Sequence, residues 1–224
     1  MSARPLRPSA LITGGNRGIG RAIAAGLKDK GCAVTIGARS EEEGRRAAFE
    51  LGVSFVRIDL TEADTSFDAI TQAGGFDILV NNAGVLTDIS LLSAKSDFDQ
   101  AMEVMVSAPL DLIRMHLPHW RQTGWGRVVN ISSGWGSHAE GLGGPGAYGV
   151  AKASLNALTR ALVRDLPDGV KINACDPGWV NTRMGGPSAP LSPAQGADTP
   201  IWLALLPDDG PTGGFFRARQ PVGW

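Results

Sequence analysis

Hydrophobic positions along the chain follow two rhythms. Short apolar runs at residues 10–12, 33–36, 54–58, 78–80, 127–131 and 170–174 are rich in β-branched and aliphatic side chains and do not alternate with polar ones. Runs of that kind are strands covered on both faces. Between them, at 19–30, 41–51, 63–73, 98–121 and 148–166, apolar residues return every three or four positions, the period of a helix with one buried face. The order is βαβαβαβαβαβ. Crossover helices joining parallel strands are right-handed, so the pattern predicts an α/β fold: a doubly wound parallel sheet between two helical layers. The last forty residues read differently. Pro187, Pro190, Pro193, Pro200, Pro207, Pro211 and Pro221 set a short helix at 194–206 apart from a strand at 213–216, expected at the sheet edge. Residues 183–224 are therefore expected to form a flap beside the substrate. No repeat or linker interrupts the pattern, and residues 1–224 are expected to form a single domain.

Composition narrows the function. A chain of 224 residues with 43% hydrophobic content can bury one sizeable core. Lys plus Arg is 21 and Asp plus Glu 22, a formal charge of −1 without long runs of one sign, which argues against nucleic acid or a lipid surface as partner. No apolar stretch reaches the roughly 18 to 20 residues of a membrane span, and Met1 to Pro8 lack a secretory apolar core, so a soluble cytoplasmic protein is expected. Cys32 and Cys175 are far apart within apolar stretches and read as buried reduced thiols. His116 and His119, three apart near Pro118, read as helix-end cations rather than ligands, and His138 as an exposed loop residue, so no metal is expected.

Chemistry enters at the first strand, which runs into Thr13-Gly14-Gly15-Asn16-Arg17-Gly18-Ile19-Gly20 and then a helix. Glycines there permit positive φ, close approach of backbone to a pyrophosphate and tight helix packing, while the helix N-terminus offers free N–H donors. A dinucleotide is the ligand this arrangement suits. The spacing Gly-x-x-x-Gly-x-Gly resembles the fingerprint of the short-chain dehydrogenase/reductase family, whose members have a Rossmann fold. Further elements match in order: Asp59-Leu60 after the third strand resembles the pair that holds adenine, Asn82-Ala83-Gly84 after Asn81 resembles the family's Asn-Asn-Ala-Gly element, and Pro177-Gly178, with Val180 and Thr182 beyond, resembles the nicotinamide-side turn. The resemblance covers roughly residues 9 to 184. Taken singly, Asp59 also reads as a helix cap, Asn81 and Asn82 as turn formers, and Pro177-Gly178 as a type II turn.

An NAD site usually places a carboxylate about 20 residues after the glycine turn, to accept from the ribose 2′-OH. Here the second strand ends in Ala38-Arg39. Arg39 suits a 2′-phosphate, and Arg17 adds a second cation, so NADP(H) is favoured over NAD(H), a preference that Glu41 to Glu43 soften.

Tyr148 is the only tyrosine, and Lys152 follows one helical turn later on the same face. A free phenol titrates near 10, and a nearby ammonium favours its phenolate. The phenol would donate a proton to a carbonyl oxygen, with Ser133 bonding that oxygen as charge develops. The family resemblance supports these roles, since Asn130-Ile131-Ser132-Ser133 ends the fifth strand as the family's serine segment does. The same alignment selects Ser133, with Ser132 structural. Cofactor contacts are expected from Gly14, Asn16, Arg17, Gly18, Ile19, Gly20, Arg39, Asp59, Leu60, Asn82, Ala83, Gly84, Tyr148, Lys152, Pro177, Gly178, Val180 and Thr182.

Two departures from the family pattern stand out. Tyr148 lies fifteen residues after Ser133, leaving a long glycine-rich loop at 135–146 beside the substrate. Met105 stands where an active-site asparagine usually helps anchor a proton-relay water, and a thioether is a weak acceptor and no donor. Trp135, Trp179 and Met184 are candidate pocket walls, and packing explains them equally. The leading expectation is an NADP-dependent oxidoreductase on a small-molecule carbonyl or alcohol. The alternatives are a weakly catalytic NADP(H)-binding sensor or scaffold, motivated by Met105, and a 3-oxoacyl-carrier-protein reductase. Family resemblance implies a homodimer or homotetramer through the helices at 98–121 and 148–166, whose apolar residues could equally face the sheet.

Overall fold

In the computed structural model, residues 5–61, 70, 74–93 and 95–224 are described. Among them eight strands form one sheet: β1 (Ser9–Thr13), β2 (Ala33–Ala38), β3 (Ser54–Arg57), β4 (Ile78–Asn81), β5 (Gly126–Ile131), β6 (Val170–Cys175), β7 (Phe215–Arg217) and β8 (Gln220–Pro221), in spatial order β3-β2-β1-β4-β5-β6-β7-β8. All neighbours run parallel except β7 and β8. The strand order reverses between β1 and β4, and ligands of open α/β sheets bind outside the carboxyl ends of the strands at such a point. The doubly wound sheet read from the hydrophobic rhythm is the fold observed.

Both faces of the sheet are covered, which is why the strands do not alternate. Ile12, Ile36, Val129 and Cys175 pack toward α1 (Gly18–Asp29) and its neighbours, whereas Leu11, Leu79, Val128 and Ile172 pack toward the helices that flank β5. The helix α2 (Glu41–Leu51) starts at Ser40, whose hydroxyl accepts the Glu43 N–H, and stops at Gly52 in the left-handed region. The helix expected at 63–73 lies outside the described residues, apart from Ile70, which is buried.

The long helix expected at 98–121 is two α-helices, α3 (Lys95–Met102) and α4 (Ala108–Thr123), joined by a π turn over Glu103–Ser107. Pro109 has no N–H to offer the Met105 carbonyl four residues back, and the Ala108 N–H reaches Glu103 O instead. His116, read from the sequence as a helix-end cation, is instead fully buried inside α4. Its Nδ1 lies 2.6 Å from Leu112 O. Burial pulls its pKa down to about 4, and the residue is neutral.

The helix α5 (Tyr148–Leu162) faces the sheet through Ala151 and Leu155. Beyond β6, Ser192 and Gln195 form a capping box that opens α6 (Pro193–Ala204). Ala197, Leu203 and Ala204 belong to the core beside α1, and α6 packs so closely on α1 that a Cβ at Gly26 would meet Ile201 Cδ1 at 2.3 Å. The strand expected at 213–216 forms at Phe215–Arg217, and it is not the sheet edge: the chain turns back through Ala218 and Arg219, both at positive φ, and β8 pairs outside it.

Candidate active site

The carboxyl ends of β1, β4, β5 and β6 bring the sequence motifs to one edge. The glycine turn after β1 is braced from β4. Thr13 Oγ1 accepts the N–H groups of Asn82 and Ala83, both at 3.0 Å, and Asn82 Nδ2 donates to Thr13 O at 2.9 Å. Gly18 opens α1 at φ 55, and a Cβ there would meet Thr182 Cγ2 at 3.3 Å, so the turn after β1 faces the loop after β6. At Gly20 a Cβ would stand 2.4 Å from Asn82 Nδ2 and 2.5 Å from Gly14 O. Arg17 at the N-cap makes no side-chain cap bond, so the first N–H groups of α1, including that of Ile19, have no cap from it. This cradle fits a dinucleotide pyrophosphate.

The charged end of the cradle is partly occupied by its own carboxylate. Glu43 accepts from Asn16 Nδ2 at 2.9 Å and lies 3.8 Å from Arg17 Nη1. A hollow of about 460 Å³ between α1 and α2 is lined by Asn16, Arg17, Arg21, Glu43 and Arg46. It borders the glycine turn and lies apart from Tyr148. Arg39 is exposed at the end of β2. Asp59 accepts from Thr61 N and Oγ1 at 3.1 and 2.8 Å, a local turn beside the buried Leu60.

Around Tyr148 three elements meet. Ser132 is buried with its hydroxyl donating to Lys152 O at 3.4 Å, whereas Ser133 is half-buried, accepts the Trp135 N–H at 3.2 Å and has its hydroxyl near enough to Tyr148 to favour the phenolate. The two hydroxyls thus have different partners. Tyr148 as a whole residue is half-buried, yet enough protein surrounds its hydroxyl that burial pushes the phenol up to about 12. The Asp176 carboxylate adds to that rise, and the nearby Ser133 hydroxyl opposes it. Lys152 is buried, donates to Ile131 O at 2.6 Å and lies 5.5 Å from the Tyr148 ring centre; burial pulls its pKa down to about 8. It therefore reaches Tyr148 through the ring face rather than by an ion pair.

Met105 is buried in the π turn, with Sδ 3.5 Å and Lys152 Nζ 3.8 Å from where a Gly84 Cβ would be. The thioether thus borders the same space beside Gly84 as the Lys152 ammonium. Trp135 meets Tyr148 edge to face at 6.0 Å. Trp135, Trp179 and Met184, the candidate walls, remain about half exposed, as do Ile89, Leu91 and Leu142 on the loops after β4 and β5. Pro177-Gly178 turns at Gly178 φ 77, its N–H bonded to Asp176 Oδ1 at 2.8 Å, and Val180 is buried.

Two further groups without a sequence motif border the site. Asn156, one turn beyond Lys152, donates to Gly136 O at 3.0 Å and braces the loop behind Ser133; the i+4 spacing was the available signal. Asp176, Arg217 and Glu140 form an ion cluster that no local spacing announces. Among the described residues no three His, Cys, Asp or Glu side chains lie together as a metal site, and no helix is long and apolar enough to cross a membrane.

Known proteins resemble this arrangement over nearly their whole length. Carbonyl reductase (NADPH) 1 of Mus musculus is 34% identical over 279 aligned positions, covering 97% of this chain and 99% of that protein; the Homo sapiens protein of the same name is 31% identical over 285 positions. Among solved structures, carbonyl reductase Sniffer of D. melanogaster superposes with a TM-score of 0.83 at 27% identity, covering 97% of this chain and 100% of that one. The Pseudomonas aeruginosa RhlG/NADP active-site complex gives 0.83 at 30% identity and 95% of both chains. The family model described as short chain dehydrogenase matches residues 8–190, and the chain belongs to that family.

Proposed function

We propose that this protein is an NADP(H)-dependent oxidoreductase that interconverts a ketone or aldehyde and its alcohol. The observation that carries the reading is the convergence of Ser133, Tyr148 and Lys152 on the sheet edge that also holds the glycine cradle. The relatives' names, carbonyl reductases using NADPH, support it.

In this reading Gly14, Asn16, Arg17, Gly18, Ile19 and Gly20 hold the pyrophosphate, Arg39 and Arg17 the 2′-phosphate, and Asp59 and Leu60 the adenine. Asn82, Ala83 and Gly84 with Pro177, Gly178, Val180 and Thr182 border the nicotinamide. Bound there, the cofactor supplies or accepts hydride. Tyr148 is protonated at neutral pH and gives its proton to the substrate oxygen, while Ser133 hydrogen-bonds that oxygen as negative charge builds on it. Lys152 then favours the phenolate left behind through its position over the ring. Trp135, Trp179 and Met184 wall the substrate, and the loop after β6 covers it, the role first expected of residues 183–224. Association with further copies and a cytoplasmic location complete the proposal. The large apolar residues of α4 and α5 mostly face the sheet, and Val150 is the exposed one on α5 among the described residues.

Purified protein with NADPH and a panel of ketones, aldehydes and quinones tests the reading. Loss of NADPH absorbance is expected, reduced at least about a hundredfold in Tyr148→Phe with NADPH binding retained. Tight NADPH binding without turnover on any carbonyl overturns it and leaves a dinucleotide-binding protein that is not an enzyme.

A further inference from the structure

The ion cluster beside the site lies outside the glycine turn and the serine, tyrosine and lysine positions. Arg217, at the end of β7, donates through Nε to Asp176 Oδ2 at 2.6 Å and through Nη1 and Nη2 to the two Glu140 oxygens at 2.8 and 2.5 Å. Asp176 follows β6, with its side chain 8% exposed, and its other oxygen holds the Gly178 N–H. Glu140 lies in the loop that begins at Ser133. Three segments far apart in sequence therefore meet on one guanidinium, in the fork geometry that only arginine supplies.

The cluster presses directly on the serine loop. A Cβ at Gly134, the residue after Ser133, would lie 2.6 Å from both Arg217 Nη2 and Glu140 Oε2 and 3.3 Å from Asp176 Oδ2. Two more bonds tie the same loop to the end of the chain: Ser137 Oγ donates to Gly223 O and Ala139 N to Trp224 O, both at 2.8 Å. The cluster also has an electrostatic reach. Two carboxylates share one guanidinium, and Asp176 acts on the phenol of Tyr148 and the thiol of Cys175. The other charged groups here are Lys152 on the face of Tyr148 and, beyond Cys175, Asp198, which is paired with Arg219.

We propose that Arg217 is a positioning residue for the reaction: by clamping Glu140 to Asp176 against Gly134 it fixes the Ser133 hydroxyl beside Tyr148 and offsets the negative charge that Asp176 turns toward the phenol. The proposal rests on the roles given to Ser133 and Tyr148 above. Removing the cation leaves Asp176 unbalanced, which favours the protonated phenol; removing the Asp176 charge favours the phenolate.

The test measures the pH dependence of alcohol oxidation, on the alcohol made from the fastest carbonyl of the panel, in Arg217→Met, Arg217→Lys and Asp176→Asn. The alkaline rise of the rate is expected to move up by about one pH unit in Arg217→Met and down by about one in Asp176→Asn. Arg217→Met is expected to lose about tenfold in kcat with the KM for NADP⁺ unchanged, and Arg217→Lys to restore the pH profile, though not all of kcat. A structural defect alone would not move the profile in opposite directions. Unmoved profiles in variants that still bind NADPH overturn the proposal. Should Arg217→Met fail to fold, Arg217→Lys and Asp176→Asn decide it: a downward shift in Asp176→Asn with a native-like profile in Arg217→Lys supports it, and a profile unmoved in Asp176→Asn rejects it. Full turnover in Tyr148→Phe would instead reject the underlying reading.

Discussion

The two halves of the sheet edge are built from different materials. On the β1 side the cradle is backbone: glycines at positive φ, helix N–H groups, and an Asn82 side chain whose Nδ2 holds that backbone in place. On the β5 and β6 side the surface is side chain: Ser133, Tyr148 and Lys152 at the bottom, with half-exposed Trp135, Trp179 and Met184 above. A ligand part common to many enzymes suits a surface of fixed backbone donors, and a part that varies suits side chains carried on long loops.

The sharpest way to break this contrast is Gly20→Ala. Its Cβ has no room beside Asn82 and Gly14, and NADPH affinity should fall about a hundredfold in a fluorescence titration. Unchanged affinity would mean the cradle is not the cofactor site. Next comes Arg39→Asp, which replaces a cation at the end of β2 by a carboxylate suited to a ribose hydroxyl; NADPH should lose roughly thirtyfold in kcat/KM while NADH gains. On the side-chain half, Trp135→Ala should raise the KM of bulky aromatic carbonyls about tenfold and leave NADPH binding unchanged, because the ring meets Tyr148 and the loop glycines on the β5 side of the edge. The smallest effect belongs to Glu43→Gln, which frees Asn16 and Arg17 from a carboxylate and should tighten NADPH about threefold without altering NADH.

How far each half was legible in the sequence follows from the same contrast. Strands β1, β4 and β5 appear within a residue or two of the apolar runs, because burial on both faces leaves a pattern that needs no tertiary knowledge. The glycine cradle is equally plain, since glycines at fixed spacing report a backbone demand. Tyr148 and Lys152 share a helix, so four residues of separation place them on one face. Asp176 and Arg217 are different. They lie 41 residues apart and meet only because β7 pairs with β6 at Ala174 and Cys175. That register depends on the whole carboxyl-terminal segment, whose helix α6, within the stretch expected as a flap, packs Ala197, Leu203 and Ala204 into the core. His116 differs from its expectation for a related reason: its position near Pro118 suggests a helix end, but α4 continues through that proline to Thr123.

His116 has a consequence far from either half of the edge. It is wedged against Phe76 and Trp120, its Nε2 has no protein hydrogen-bond partner, and it binds a proton only near pH 4, against an ordinary value of 6.5. Between those two values the unfolded chain takes up a proton that the native imidazole refuses, so stability that is complete above pH 6.5 drains away on acidification, by about 3 kcal/mol at most. Acid should thus loosen this molecule from the amino end of its strands, the side opposite Ser133, Tyr148 and Lys152.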